Sequence, residues 1–180
     1  MEIEFLNQIK YFKTIKVPKY ISVEIQKCAL QHLDLKDMGQ LRDRMEGQMY
    51  YDKLRNDILT EFAFENLLLK NSYDWSKRMN KNYKRKIYNI SGFKIRLISF
   101  SDNNYPKLSL DPTNLYIFGR ATVDSKVYLS GLATKELIES DGTNIRNNIF
   151  ELKSFENLLK FSTREELNNQ LRSKDVQQIL

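Results

Sequence analysis

LYIFGRATVDSKVYLSGLATKEL, residues 115–137, decides the fold. With Asn114 in front, NLYIFGRA is a near-continuous apolar and aromatic run of strand length. A short turn at Asp124-Ser125 leads into a second strand, KVYLSGLA, and TKELIES then reads as a short helix. Working backward, FKIRLISFS (93–101) has period two and joins KIYNI (86–90) through a turn at Ser91-Gly92, a hairpin. The order of helix, strands and helix predicts a mixed sheet with helices on at least one face, an α/β (α+β) architecture.

Upstream lie two helical segments. In VPKYISVEIQKCALQHL, Pro18 suits the first turn, and Val23, Ile25, Ala29, Leu30 and Leu33 supply an apolar side. Cys28 and His32 fall one turn apart, and we read them as a buried thiol and a helix-face His, since there is no second His to build a catalytic group. KDMGQLRDRMEGQMYYDKL (36–54) reads as a charged connector with helical pieces, broken by Gly39 and Gly47. NDILTEFAFENLLLKN follows as the strongest helix, with Asn56 or Asp57 as its cap and Ile58, Leu59, Phe62, Ala63, Leu67 and Leu69 on its apolar face. Asp57, Glu61 and Glu65 recur every four residues and share one stripe, which reads as a solvated acidic face. Toward the C-terminus, DGTNIRNN reads as a loop, and Thr163 and Glu166 form a capping-box pair for a last helix. FENLLKF and that helix either pack on the core or dock a partner. The expected organisation is one domain, with a core over about 17–140 and a helical extension over about 150–180.

Composition narrows the functions. The 180 residues carry 29 Lys+Arg, 23 Asp+Glu and one His, a net charge of +6. The excess is local: residues 75–101 hold 8 basic groups and no acid. One Cys excludes an internal disulfide framework, and one His argues against His-rich metal sites. No apolar run approaches the roughly 18–20 residues that span a bilayer, and MEIEFLNQIKYFK lacks the features of a signal peptide. An intracellular protein without membrane association is expected. Richness in Asn, Lys, Ile and Tyr is the usage of AT-rich coding sequence, which suggests a viral or low-GC bacterial source.

Taken in order, DILTEFAFENLL, IYNISGFKIRLIS, LYIFGRA and VYLSGLATKEL resemble the PD-(D/E)XK nuclease-like superfamily, and most closely its small phage and bacterial members. The resemblance implies a mixed sheet of about four strands flanked by helices. Active members cut DNA or RNA with Mg²⁺, held by acids on two strands, with a Lys beyond the second acid and often a Glu on the preceding helix. Carried onto this chain, Glu61 matches the helical acid. Asn89 stands at the first strand acid, Arg96 at the second, and Ile98 at the Lys. The resemblance therefore implies a degenerate site with no resident metal, in which Arg96 pairs with Glu61 in place of a cation. The alternative is an active Mg²⁺-dependent nuclease whose groups have migrated to Asp102, Asp111, Lys94, Lys107 or Lys126.

The basic window supplies the partner expectation. Lys77, Arg78, Lys81, Lys84, Arg85 and Lys86 interleave with Trp75, Tyr83 and Tyr88, and Lys94 follows on the hairpin. Cations meet phosphates with counterion release, and aromatic rings stack on exposed bases. The expected function is a catalytically inactive nuclease-like protein that binds nucleic acid, DNA ahead of RNA, or serves as a subunit of a larger nucleoprotein assembly. A pure protein–protein module is the third reading.

Overall fold

The computed structural model describes residues 5–69, 73–85, 87–101 and 104–173. A 3-10 turn over Ile9–Tyr11 leads into β1 (Lys13–Lys16) and then three helices, α1 (Tyr20–Leu33), α2 (Met38–Arg42) and α3 (Met45–Phe64). A π turn over Glu65–Leu69 ends the third. The short helix α4 (Trp75–Arg78) precedes the hairpin β2 (Ile87–Ile90) and β3 (Phe93–Ser99). Then come β4 (Lys107–Ser109), β5 (Asn114–Ala121), β6 (Lys126–Ala133), α5 (Lys135–Asp141), β7 (Gly142–Arg146), β8 (Ile149–Leu152) and α6 (Arg164–Leu171).

The strands form a five-stranded mixed sheet in the order β1-β6-β5-β3-β2 and a three-stranded sheet in the order β4-β8-β7. β3 and β5 run parallel, with Leu97 opposite Ile117, and the other pairs of the large sheet are antiparallel. β5 is central and buried along nearly its whole length. Its alternate residues serve two cores. Leu115 and Ile117 pack with the helices through Ile25, Ile58 and Leu59, while Tyr116 and Phe118 pack with Phe5, Phe12, Phe150 and Phe155 beneath the small sheet. The chain thus makes three layers, helices, large sheet and small sheet, which explains why NLYIFGRA has no polar alternation.

Local chemistry accounts for the expected elements. Ser91 and Gly92 both take positive φ, 52° and 89°, the pairing that suits a two-residue hairpin turn. Thr134 and Thr163 cap α5 and α6 by accepting from Leu137 and Glu166 N–H.

Several expectations are corrected. The large sheet has five strands because β1 adds at the edge of β6, and a second sheet lies beyond it. DGTNIRNN is a strand and turn, with Asn147 and Asn148 at positive φ, rather than a loop. FENLLKF forms no helix. It turns at Glu156–Asn157 and bridges Leu132 through Leu159, and Phe155, Leu158, Phe161, Leu167 and Leu171 are buried in the two cores. Gly47 does not break the connector. α3 begins at Met45, and Gly47 lets it approach the Leu41 carbonyl, where an added Cβ would lie 2.9 Å from the oxygen. Asn56 and Asp57 are therefore mid-helix rather than caps. Asn56 instead joins α3 to the sheet, donating to Phe100 O at 2.6 Å and accepting from Ala121 N at 2.8 Å.

The closest approach of α3 to β5 is at Gly119. A Cβ there would sit 3.0 Å from Thr60 Cβ and nearer still to its Oγ1 and Cγ2. Gly119→Ala should cost about 1–3 kcal/mol in urea unfolding. Most of that loss should vanish in a Thr60→Ala background. Equal cost in both backgrounds would mean that the helix–sheet spacing is not set by this contact.

Candidate functional site

The acidic stripe of α3 faces inward. Glu61 is 1% exposed and Glu65 5%. Their neighbours come from the basic window, which folds back over the helix. This corrects the reading of a solvated acidic face: a carboxylate row and a cation row separated by a turn of chain have closed on each other.

The short helix α4 begins the closure. Asp74 caps it, accepting from Lys77 N and from Ser76 Oγ at 2.6 Å, and these hydrogen bonds hold its carboxyl down at about 2. One turn later Arg78 enters the interior, 6% exposed. Its Nη2 pairs with Glu61 Oε2, its Nε donates to Tyr73 Oη at 2.7 Å, and Tyr73 Oη donates to Glu61 Oε2 at 3.2 Å. The guanidinium also lies 4.3 Å from the Tyr83 ring centroid. Glu61 Oε1 faces Arg85 Nε at 3.6 Å, an electrostatic contact too long for a hydrogen bond. Burial pushes the Glu61 carboxyl above its ordinary value, against the opposing pull of Arg78 and then Arg85.

Arg85 seals the sheet edge. β2 pairs with β3 from Phe93 to Arg96, so among the described residues no strand flanks the end of β3 on that side. Arg85 Nη1 donates to Leu97 O at 2.7 Å, Nη2 donates to Ser99 Oγ at 3.0 Å, and Nη2 also pairs with Asp57, to which Ser99 Oγ donates in turn. Tyr88 Oη donates to Glu65 Oε1 at 2.9 Å one step further along. The stripe is thus matched in order: Asp57 with Arg85, Glu61 with Arg78 and Arg85, Glu65 with Tyr88.

His32 and Cys28 support this cluster from α1. His32 Nε2 lies 2.8 Å from Arg78 O and Nδ1 lies 2.7 Å from Tyr50 Oη. A carbonyl oxygen only accepts, so Nε2 carries the proton and, in the neutral ring, Nδ1 accepts from Tyr50. Cys28 is fully buried, 3.6 Å from Met79 Sδ, and burial pushes its thiol up to about 11. The reading of a buried thiol and a helix-face His with a structural role fits these contacts.

The expected degenerate site is not assembled. Asn89 is exposed on β2, on the face away from α3, since Tyr88 and Ile90 are the buried residues of that strand. Ile95 and Leu97 face α3, so alternation puts Arg96 and Ile98 on the opposite face. Arg96 therefore does not pair with Glu61. Arg78 and Arg85 take that role, and with both guanidinium groups against it Glu61 is poorly placed to ligate a cation.

The residues named as migrated candidates are scattered. Asp111 turns the chain into β5 by accepting from Thr113 N and Oγ1 at 2.9 and 2.8 Å. Lys107 pairs with Glu151 at 3.5 Å, and Lys126 pairs with Asp124 at 2.5 Å at the far end of β5. Asp102 lies outside the described residues, as does Lys86. Among the described residues, no group of three His, Cys, Asp or Glu side chains is placed to hold a metal ion.

The expected nucleic-acid contacts divide. Arg78 is buried, and Arg85 is half-buried at the wall of a groove, tied to Asp57. Lys77, Lys81, Lys84 and Lys94 are exposed, with Lys77 3.0 Å from Asp74. At Arg85, which lines it, runs an open groove of about 590 Å³ along the outer side of the end of β3, the side away from β5. Lys53, Lys84 and Arg96 line it with Ile87, Leu97 and Ile98, and the one acid on its wall, Asp57, is already paired with Arg85. Among the described residues Lys53, Lys84 and Arg96 have no carboxylate within ion-pair distance. Lys53 escaped the sequence reading, although it lies one turn before Asp57 on the same helix stripe.

Comparisons of the chain with protein-family models, with curated proteins and with solved structures found no match. Among the described residues no helix is long and apolar enough to cross a membrane.

The Glu61–Arg78 pair gives a direct test. Removing one partner of a buried pair typically costs about 3–5 kcal/mol, whereas replacing both with apolar groups is often near neutral. Glu61→Leu and Arg78→Met should each lose about that much in urea unfolding. The double variant should lose less than either single one. Additive losses would show that the two charges are not coupled.

Proposed function

We propose that this chain is a nuclease-like protein of the PD-(D/E)XK type that binds a nucleic-acid backbone without cutting it. It acts as a binding or structural subunit of a viral or bacterial nucleoprotein assembly. DNA is favoured over RNA on the resemblance alone. The observation that carries the reading is the groove at the end of β3, where Lys53, Lys84 and Arg96 converge from α3, the segment before β2, and β3 itself.

The chemistry supports a polyanion. Three cations without carboxylate partners give a local positive field, and a groove concentrates such a field at its mouth. The apolar floor of Ile87 and Ile98 adds contact area without competing acceptors. Lys77 and Lys81 extend exposed charge upstream of the groove along the chain. The inactive half of the reading rests on Glu61, whose carboxylate is enclosed by Arg78 and Arg85. A metal would have to displace two fixed positive charges to reach it.

Fluorescence anisotropy with short single-stranded and duplex DNA and RNA tests the reading. Binding should weaken with salt, and the triple variant Lys53→Ala/Lys84→Ala/Arg96→Ala should reduce the salt slope by about 0.9 for each phosphate contact removed. Circular dichroism should show that variant folded, since all three groups lie on the groove wall. Absence of binding at 50 mM salt, or an unchanged slope, would leave the protein-only role ahead. Cleavage of plasmid or single-stranded DNA with Mg²⁺ or Mn²⁺ would contradict the inactive assignment.

A further inference from the structure

A second cation-lined pocket lies at the other edge of the large sheet. It holds about 150 Å³ and is walled by Lys10, Tyr11 and Phe12 of the N-terminal turn, Lys13 of β1, Leu129, Ser130 and Gly131 of β6, and Lys160, Phe161 and Ser162 of the C-terminal segment. The two concavities are separated by the width of the sheet, because β1 and β2 are its two edge strands. Neither the charge pattern of residues 75–101 nor the nuclease resemblance involves these lysines.

We propose that this pocket binds a phosphate-type anion. Three lysines from two stretches of chain line it, Lys10 and Lys13 from the N-terminal segment and Lys160 from the C-terminal one, and among the described residues no acid lines the wall. Lys10 Nζ lies 4.9 Å and Lys160 Nζ 5.2 Å from the centroid of the same Tyr11 ring. Two ammonium groups that share one ring sit no farther apart than about one Debye length, roughly 10 Å at 0.1 M salt, so their repulsion is only partly screened. The ring face offsets part of that repulsion. An anion between them would remove the rest and gain charge-assisted hydrogen bonds.

The surroundings are consistent with an anion. Among the described residues none of the three lysines has a carboxylate within ion-pair distance. The acid that the hydrogen bonds bring nearest is Glu166, and its Oε2 is committed to Ser162 N. Ser130 is also committed, accepting from Phe118 N at 2.9 Å and donating to Gly131 O at 2.7 Å, so it shapes the pocket and the lysines supply the recognition. The lining of lysines without an acid among the described residues makes a phosphate the recognised group. It is either a free phosphate or a single phosphate of a longer nucleic acid that also reaches this edge.

Inorganic phosphate is the probe, titrated into the full chain at constant ionic strength and followed by amide NMR. Saturable shifts of Lys13, Ser130, Gly131 and Ser162 are expected, with a dissociation constant on the order of 1 mM. Lys10→Ala/Lys13→Ala/Lys160→Ala should abolish them, and Lys53→Ala/Lys84→Ala/Arg96→Ala should leave them intact. That second variant separates this pocket from the groove, so each reading fails independently of the other. A 5′-phosphorylated oligonucleotide that shifts the same amides at lower concentration than phosphate would identify a nucleic-acid phosphate as the source. Equal potency would identify free phosphate. Shifts that track ionic strength without saturating, or that persist in the first variant, would overturn the proposal.

Discussion

The contact between the Glu61 carboxylate and the Arg78 guanidinium is the one on which the rest depends. Both groups are buried, and neither is tolerable there alone, because desolvating an unpaired charge costs several kcal/mol. Their pairing requires the chain after α3 to return across the helix, which places α4 beside α1 and brings His32 to the Arg78 carbonyl. It also fixes the approach to β2, since Arg85 must then lie between Asp57, Glu61 and the open edge of β3. A dense basic segment, which would repel itself if left on the surface, is thus divided into an interior part that organises the helix–sheet junction and an exterior part that faces solvent.

That division governs how the molecule can meet an anion. Arg78 is buried, and Arg85 at the groove wall is tied to Asp57, Leu97 O and Ser99, and together they hold the carboxylates that would otherwise cancel the field of Lys53, Lys84 and Arg96. The groove is positive because the stripe behind it has been neutralised from within. The same neutralisation sets Glu61 apart from metal chemistry. At the opposite sheet edge, Lys10 and Lys160 approach the Tyr11 ring and Lys13 lines the same pocket, with no ion-paired acid among the described residues.

How far the chain could be read from its residues follows from which signals are local. NLYIFGRA and KVYLSGLA declared themselves as strands through apolar density, and Ser91-Gly92 declared the hairpin through the backbone freedom that a tight turn needs. Thr163, with Glu166, marked a helix start by capping chemistry. Four strands escaped: KTIK, KLS and GTNIR are short edge strands with polar outer faces that carry no alternation strong enough to separate them from loops, and IFEL, the four-residue centre of the small sheet, falls where a helical extension was expected. The site was misread for a different reason. A carboxylate every four residues looks identical whether it meets water or a guanidinium, and the choice between Arg78 and Arg96 depends on which face of β3 turns toward α3. One residue of register decides it.

The central claim, that the basic window is split between interior ion pairs and a solvent-facing set, is most directly tested by following the arginine Nε–H groups in ¹⁵N-resolved NMR. Arg78 and Arg85 should give resolved, slowly exchanging Nε–H signals that do not move when a short oligonucleotide is added, while Arg96 should exchange rapidly in the free protein and shift on binding. Rapid exchange at Arg78 and Arg85, or nucleic-acid-dependent shifts at those two positions, would contradict the account.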